Sequence, residues 1–527
     1  MRYPVETFTP AEAARLAPHV TNLDRPVFAL VNLPETVKGA LFARYSRYQG
    51  TLRRLFLDEF ADSLPEGGPA WEADEGRRAA ELYERIFLGY GDDSVAQLGG
   101  AHIACEWVSN VLTKVLQRPR LAAYLEQSTR YLAYDAPMPG GGYRYHREES
   151  LGPAYESAMD GLFDTYSQAL PAVTAWAAAR YPRADGEPEP AHARAVRAKA
   201  LDLLRGLLPA ASLSHMGIFA TGQTYEQLVL HLLAHPLPEA RRYGRMILET
   251  VQAVMPSFVA RVERPERGGE WVSFLAEREA AGARWAGRLG IGAEAATGGA
   301  GPSVRLLEAH GDEDDLIAAL LFESAGIAER DVRARAEALA HDERAELLRD
   351  LLGGRGNRRH RPGRGLEALR YRFEIVSDYG AFRDLQRHRT LTVQWQSLTP
   401  HLGAGVPDEV DRAGQGDAYR RALESSAAEY ERLAGAGLRA QAPYALCLGY
   451  RIRFVLDLNA RAAMQLVELR SGREGHPSYR AVALAMLDEI ARVHPAVAAA
   501  MTHVDRSAEP RLERILSELR AEARAGG

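Results

Sequence analysis

Apolar residues recur at helical spacing over 75–89, 102–117, 155–180, 416–435, 479–493 and 509–524. These segments are rich in Ala, Leu, Arg and Glu, which lose little conformational freedom on entering a helix, so the spacing predicts a helix for each. Shorter β-branched and aromatic runs, Val27–Val31, Tyr371–Val376 and Arg451–Leu456, read as strands. Together they predict an α+β protein rather than a pure helical bundle. Two stretches break the pattern: a polar Pro/Gly loop at 183–190 (RADGEPEP), and 287–302 (GRLGIGAEAATGGAGP), which has the low complexity of an inter-domain linker.

Beyond that linker the order of elements begins again. Arg118-Pro119-Arg120 leads to Gln127-Ser128, and Arg387-His388-Arg389 leads at the same distance to Gln396-Ser397. Each copy follows an apolar segment, and in each half a Pro-containing stretch, Leu207–Pro209 or Ala442–Leu446, precedes another. With 527 residues available, against roughly 100–200 for an ordinary domain, the repeat predicts two large domains, 1–285 and 303–527, joined by a linker at 286–302.

Charge narrows the partners. The 65 basic and 70 acidic side chains leave a net charge of −5, so no globally basic field attracts nucleic acid or a membrane surface, and neither partner is expected. Any anion site must be local and built from arginine, because Lys38, Lys114 and Lys199 are the only lysines. Cys105 and Cys447 are too few for a disulfide framework or a thiolate metal site. His102, His215, His231, His401 and His476 lack paired ligand spacing, and no metal is expected. The start of the chain, MRYPVETFTP, lacks the basic and apolar regions of a signal peptide, and charges interrupt every apolar stretch before about 18 residues. A soluble cytoplasmic protein is the expectation.

Two segments concentrate candidate chemistry. Arg387-His388-Arg389 places two permanent cations and an imidazole together, which suits a diphosphate or the electron-rich end of a flavin, and equally suits a solvated basic turn. The dense run from Arg355 to Arg364 could meet RNA or DNA phosphates; without aromatic residues for base stacking it reads as a flexible surface loop.

The Arg-His-Arg triplet with Ser397, and Glu126, Gln127, Ser128, Arg130 and Tyr131 in the other copy, resembles the RHRxxSxxxxSxR signature of flavin-dependent thymidylate synthases. Neither copy is complete: the first has Pro119 and Ala123 in place of His and the inner Ser, the second Thr392, Thr399 and Pro400 in place of the inner Ser, the final Arg and the Tyr. Residues 91–117 are similar to the family segment upstream, with Asp92, Gln97 and Leu98 where His, Glu and His are usual; Glu367 is the matching acid of the second half. Asn459, Arg461 and Arg470 resemble the polar positions of the downstream helix, where the first half has Thr221, Gln223 and Leu232. Arg205 to Pro209 is similar to the family's Arg-x-x-Leu-Pro stretch, which the second half carries as Arg439 to Pro443 without the Leu.

The resemblance implies two tandem thymidylate-synthase-complementing-like domains, each a mixed sheet with long flanking helices. It implies reductive methylation of dUMP to dTMP, with methylenetetrahydrofolate as carbon donor, NADPH as reductant and FAD as relay. Carried over residue by residue, Glu126, Gln127, Ser128, Arg130 and Arg205 would bind substrate, and Arg470 would face the base as both binding and catalytic residue. Arg387, His388, Arg389, Asn459 and Arg461 would bind FAD. The first half then keeps the nucleotide-phosphate side and the second the flavin side, as one composite site would require. Family sites form between subunits of a homotetramer, which for a tandem chain implies a homodimer. Two other readings stay open: a degenerate flavin- or nucleotide-binding relative with a regulatory or scaffold role, and a flavoenzyme acting on another pyrimidine nucleotide.

Overall fold

The computed structural model describes residues 3–33, 41–42, 44–45, 48–63, 100–291, 301–507 and 512–525. The segment 75–89 and the positions Asp92, Gln97 and Leu98 lie outside the described residues, as does 292–300 of the linker. The chain forms two compact units, and each draws on both sides of the linker. The first comprises Met1–Ser167, Leu208–Thr297 and Glu424–Leu446; the second comprises Gln168–Leu207, Gly298–Leu423 and Cys447–Gly527. The repeat in sequence and the unit of packing are therefore different divisions of the chain.

In the first unit a four-stranded sheet runs in the order β1 (Val27–Leu30), β2 (Gly100–Ser109), β4 (Leu213–Thr221), β3 (Ala122–Glu126), with every pairing antiparallel. Strand β2 corrects the helix expected over 102–117. Flanked by β1 and β4 and buried beyond its first residue, it shows no polar-apolar alternation, so its continuous apolar run is compatible with either period. The helix begins only at α1 (Asn110–Leu116), where Ser109 Oγ accepts from Leu112 N at 3.0 Å. Strand β4 likewise runs into α2 (Gly222–Ala234) through the cap Thr221.

The second unit repeats this plan. Its sheet has the order β5 (Ser303–His310), β6 (Arg370–Asp378), β8 (Arg451–Asn459), β7 (Leu391–Trp395), again antiparallel throughout rather than mixed in direction. Strand β6 enters α3 (Tyr379–Leu385) through the cap Asp378, and β8 enters α4 (Ala460–Arg470) through Asn459. Register is conserved between the copies: Ala122 pairs with Ala220, one residue before the cap Thr221, and Leu391 pairs with Leu458, one before Asn459. The Arg-x-Arg and Gln-Ser repeats thus bracket equivalent strands, β3 and β7, so the α+β tandem architecture is observed at the level of register.

Segment 168–207 is held in the second unit by an apolar cluster of Ala177, Ala195, Val196, Leu512 and Ile515. Two buried ion pairs accompany it, Lys199 Nζ with Glu513 at 2.7 Å and Arg514 with Asp202 at 3.0 Å. Such pairs matter chiefly because removing one partner strands the other's charge. The helix expected at 509–524 is seen as Ile515–Ala525, and those expected at 155–180, 416–435 and 479–493 are present with small shifts at their ends. Among the described residues no helix is long and apolar enough to cross a membrane.

Candidate active site

Arg205 opens a short helical turn, Arg205–Leu207, after the helix Glu189–Leu204, and this places it in the second unit although it belongs to the first repeat. It is 3% exposed. Its guanidinium lies flat on the start of α3, where a Cβ added to Gly380 would stand 2.7 Å from its terminal nitrogen. From there it faces two carboxylates, Asp384 at 3.4 Å and Asp378 at 3.5 Å. Asp378 is also the cap of α3, accepting from Ala381 N at 2.8 Å, and it bonds Ser478. Burial pushes its carboxyl pKa up while Arg205 pulls it down. A cavity of about 540 Å³ opens beside Arg205 and is lined also by Asp378, Tyr419, Arg451, His476 and Ser478.

Asp384, at the end of α3, gathers the second repeat's cations onto the same spot. It pairs with Arg387, and Arg470 from the end of α4 approaches its carboxylate to 3.8 Å while donating to its backbone carbonyl at 2.6 Å. Arg470 Nε also donates to His388 Nε2 at 2.9 Å, which requires an imidazole that is neutral and protonated on Nδ1. Burial, with Arg470 and Arg387 beside it, holds the His388 pKa well below its ordinary value. Burial also lowers the Arg470 pKa, with Asp384 opposing, and the guanidinium remains charged. The ring of Tyr479 sits 5.4 Å from the Arg470 guanidinium carbon. Arg205, Arg387, His388 and Arg470 are therefore one cluster around one carboxylate.

Arg389 is exposed beside this cluster. Asn459 and Arg461 stand apart from it at the N-terminal end of α4, where they line a second cavity of about 340 Å³. Asn459 Oδ1 accepts from Ala462 N at 2.8 Å, and Arg461 bonds the Pro362 carbonyl at 3.0 Å and Glu367 at 3.5 Å. The basic run expected to be a flexible surface loop forms a wall of this cavity. Arg355 anchors it, bonding Glu468 through both terminal nitrogens at 2.7 and 2.6 Å in a buried pair.

Glu126, Gln127, Ser128 and Arg130 belong to the first unit, and Arg205 belongs to the second with the flavin-side arginines. Glu126 is buried against Lys114 Nζ at 3.0 Å and Gln117 at 2.9 Å. Gln127 is buried too: its side chain donates to the Tyr48 carbonyl at 2.6 Å and accepts from Arg144. Both side chains face the scaffold. Ser128 and Arg130 are half-buried, with Ser128 Oγ accepting from Arg130 N at 3.2 Å. At the first-repeat positions equivalent to Arg470 and Asp384 stand Leu232, fully buried, and Val115. Arg118, the counterpart of Arg387, lines a cavity of about 420 Å³ with His231 and His235. Burial, with Arg118 and Arg241 nearby, pulls the His235 pKa down to about 4. The cationic cluster is thus a property of the second unit.

Sequence reasoning missed Asp378, Gly380, Asp384 and Tyr479. Asp384 had a legible signal, since it precedes Arg387 by three residues, a spacing at which side chains on a helix meet. The others serve through tertiary packing that no local pattern encodes.

The model of the thymidylate synthase complementing protein family matches residues 53–257 and 305–496. The chain is 37% identical to a UPF0159 protein of Chlamydia pneumoniae over 530 residues, 98% of each chain. It is 37% identical to one of Chlamydia muridarum over 98% of this chain and 99% of the relative. With UPF0159 protein Ta1429 of Thermoplasma acidophilum the identity is 30%, over 93% of this chain and 99% of the relative. Among solved structures, the UMP/dUMP methylase PolB from Streptomyces cacaoi, bound with 5-Br dUMP, is similar at 23% identity and a TM-score of 0.32, covering 40% of this chain and 98% of that one.

Proposed function

This chain belongs to the thymidylate synthase complementing protein family, and from that premise we propose that it methylates dUMP to dTMP with FAD, using methylenetetrahydrofolate and NADPH. The observation that carries the reading is the meeting of Arg205, from the first repeat, with Arg387, His388 and Arg470, from the second, around Asp384. Arg205 sits beside a cavity of about 540 Å³, within the range of small-molecule sites, and offers its cation to the nucleotide phosphate. Ser128 and Arg130 are proposed as further phosphate contacts, and Glu126 and Gln127 as substrate-side residues, on the motif resemblance.

Arg470 is held by the Asp384 carbonyl, by His388 and by the Tyr479 face, so its charge is fixed before substrate arrives. A preoriented cation of this kind stabilises negative charge developing on a pyrimidine without reorganising at the moment of reaction. The neutral His388 keeps Arg470 aimed by accepting its Nε–H. Arg387, His388, Arg389, Asn459 and Arg461 would hold FAD, and the cationic cavity at Asn459 and Arg461 fits the anionic part of such a cofactor. FAD supplies the redox chemistry when bound. We propose a homodimer, for which light scattering should return twice the 57.9 kDa chain mass.

The test is tritium release from ring-tritiated dUMP. Release that requires FAD, NADPH and folate together is the expected result. Binding of FAD and dUMP without release would replace the enzyme by a regulator or scaffold, and release from a different pyrimidine nucleotide alone would change the substrate.

A further inference from the structure

We propose that the helix Glu270–Arg288 pairs antiparallel with the same helix of a second copy of this chain, about a two-fold axis at the level of Ala280. The helix belongs to the first unit and lies between the two family matches, which end at 257 and resume at 305, so it is part of neither matched domain. Its own chain uses little of it: Leu275 is buried and shares a cavity wall with Leu228 of α2. The neighbouring face carries Trp271, Phe274, Trp285 and Leu289, which are 43% to 66% exposed. With Arg278 and Gly282 between them, the steps along this face are three, four, four, three and four residues, the period of a seam between two helices.

The face is complementary to itself. An axis at Ala280 sets Trp271 against the partner's Leu289, Phe274 against the partner's Trp285, and Arg278 against the partner's Gly282. A Cβ added at Gly282 would meet nothing within 4 Å, so the packing of a single chain gives no reason for a glycine that weakens the helix, whereas a close neighbour does. One flank of the seam carries Glu270 and Glu277 in the first half of the helix and Arg284 and Arg288 in the second. In the single chain Glu277 and Arg284 bond each other at 2.5 Å while both stay exposed. Antiparallel pairing lays this flank on its own reverse, so that Glu277 faces the partner's Arg284 and Glu270 the partner's Arg288. Any other partner would have to carry that reversed pattern; a copy of the helix carries it by construction. Half-exposed aromatic and aliphatic side chains of this size leave on the order of 1,000 Å² to be covered in the pair, the lower bound of a specific interface, so the association is expected to be weak and concentration dependent.

The homodimer proposed above has no contact assigned to it; this pairing supplies one and rests on the helix alone, not on the methylase reading. The test is cross-linking of the full-length protein with a short bis-maleimide, for which Cys105 and Cys447 are buried and do not compete. Ala281→Cys, on the charged flank beside the axis, is expected to give a covalent pair, and Ala283→Cys, exposed on the side turned away from the seam, none. Adding Glu277→Arg or Arg284→Glu to Ala281→Cys should lower the yield about tenfold by setting like charges together, and mixing those two variants should restore it, because each then supplies the charge the other lacks. An ion pair within one helix cannot respond to mixing. No cross-link at 281, an equal cross-link at 283, or no recovery on mixing would overturn the pairing. A blue shift of the wild-type tryptophan emission on anionic lipid vesicles, lost in Trp271→Ser/Trp285→Ser and accompanied by no cross-link, would assign the face to a lipid surface instead. Twice the chain mass in solution without the cross-link at 281 would keep the homodimer and overturn this contact. A cross-link at 281 in a protein that releases no tritium would sink the methylase reading and leave the pairing standing.

Discussion

Asp384 neutralises part of a charge that would otherwise push Arg205, Arg387 and Arg470 apart, and Gly380 lets Arg205 lie close enough to join them. A methyl group at position 380 would collide with that guanidinium at 2.7 Å, and the collision cannot be relieved without moving the arginine. Gly380→Ala is therefore expected to weaken dUMP binding about tenfold, the scale of one charge-assisted contact, while FAD stays bound. Fluorescence titration of both ligands checks this, and a parallel loss of both would point to general unfolding instead. His388 gives a prediction of opposite character. Its folded pKa is depressed, so the unfolded chain takes up a proton near 6.5 that the native imidazole refuses. Stability attributable to this residue is whole above that value and falls as pH drops below it, by up to about 1.4 kcal/mol per pH unit. Urea midpoints at pH 7.5 and 5.5 should fall further in wild type than in His388→Asn; equal falls would mean that the imidazole titrates normally.

At the scale of elements, both sheets use one device four times: an inner strand runs directly into a helix through a capping side chain, Ser109, Thr221, Asp378 or Asn459. The caps set where each helix starts and so where its last turn points, which is how α3 and α4 deliver Asp384 and Arg470 to the same place. Asn459→Ala should cost about 1 kcal/mol by removing the bond to Ala462 N. Denaturant unfolding reads that loss, and an unchanged midpoint would show that the helix start is held by packing alone. Much of this level was legible in the sequence. The strands at Val27, Tyr371 and Arg451 and the long helices were visible as period and composition, and the repeat was visible as Arg-x-Arg with Gln-Ser. Strand β2 was not, because a strand buried on both faces loses the alternation that distinguishes it from a helix. The basic run was read as mobile since its anchor, the Arg355–Glu468 pair, joins residues more than a hundred positions apart.

On the scale of the whole molecule, the compact units cut across the repeats. Lys199 and Asp202, which answer Glu513 and Arg514 in the second unit, come from the first half of the chain. Residues 303–527 produced alone would lack Asp202, which pairs with Arg514, and Lys199, which pairs with buried Glu513; removing the partner of the buried Glu513 carboxylate costs about 3–5 kcal/mol. Such a fragment should lack a cooperative thermal transition by circular dichroism, and a sharp transition would show that the half-chain is self-sufficient. The same division is why Arg205, which lies in the first repeat and was read with Ser128 and Arg130 as the nucleotide-phosphate side, packs in the second unit with Arg470.

The measurement that bears most directly on the shared cluster is the visible spectrum of FAD-loaded protein during titration with dUMP, in wild type and in Arg205→Ala. If Arg205 of the first repeat and Arg470 of the second serve one nucleotide site, dUMP shifts the wild-type flavin spectrum, and in the variant the flavin is retained while the response weakens about tenfold or vanishes. Superimposable titrations of the two proteins would contradict the account.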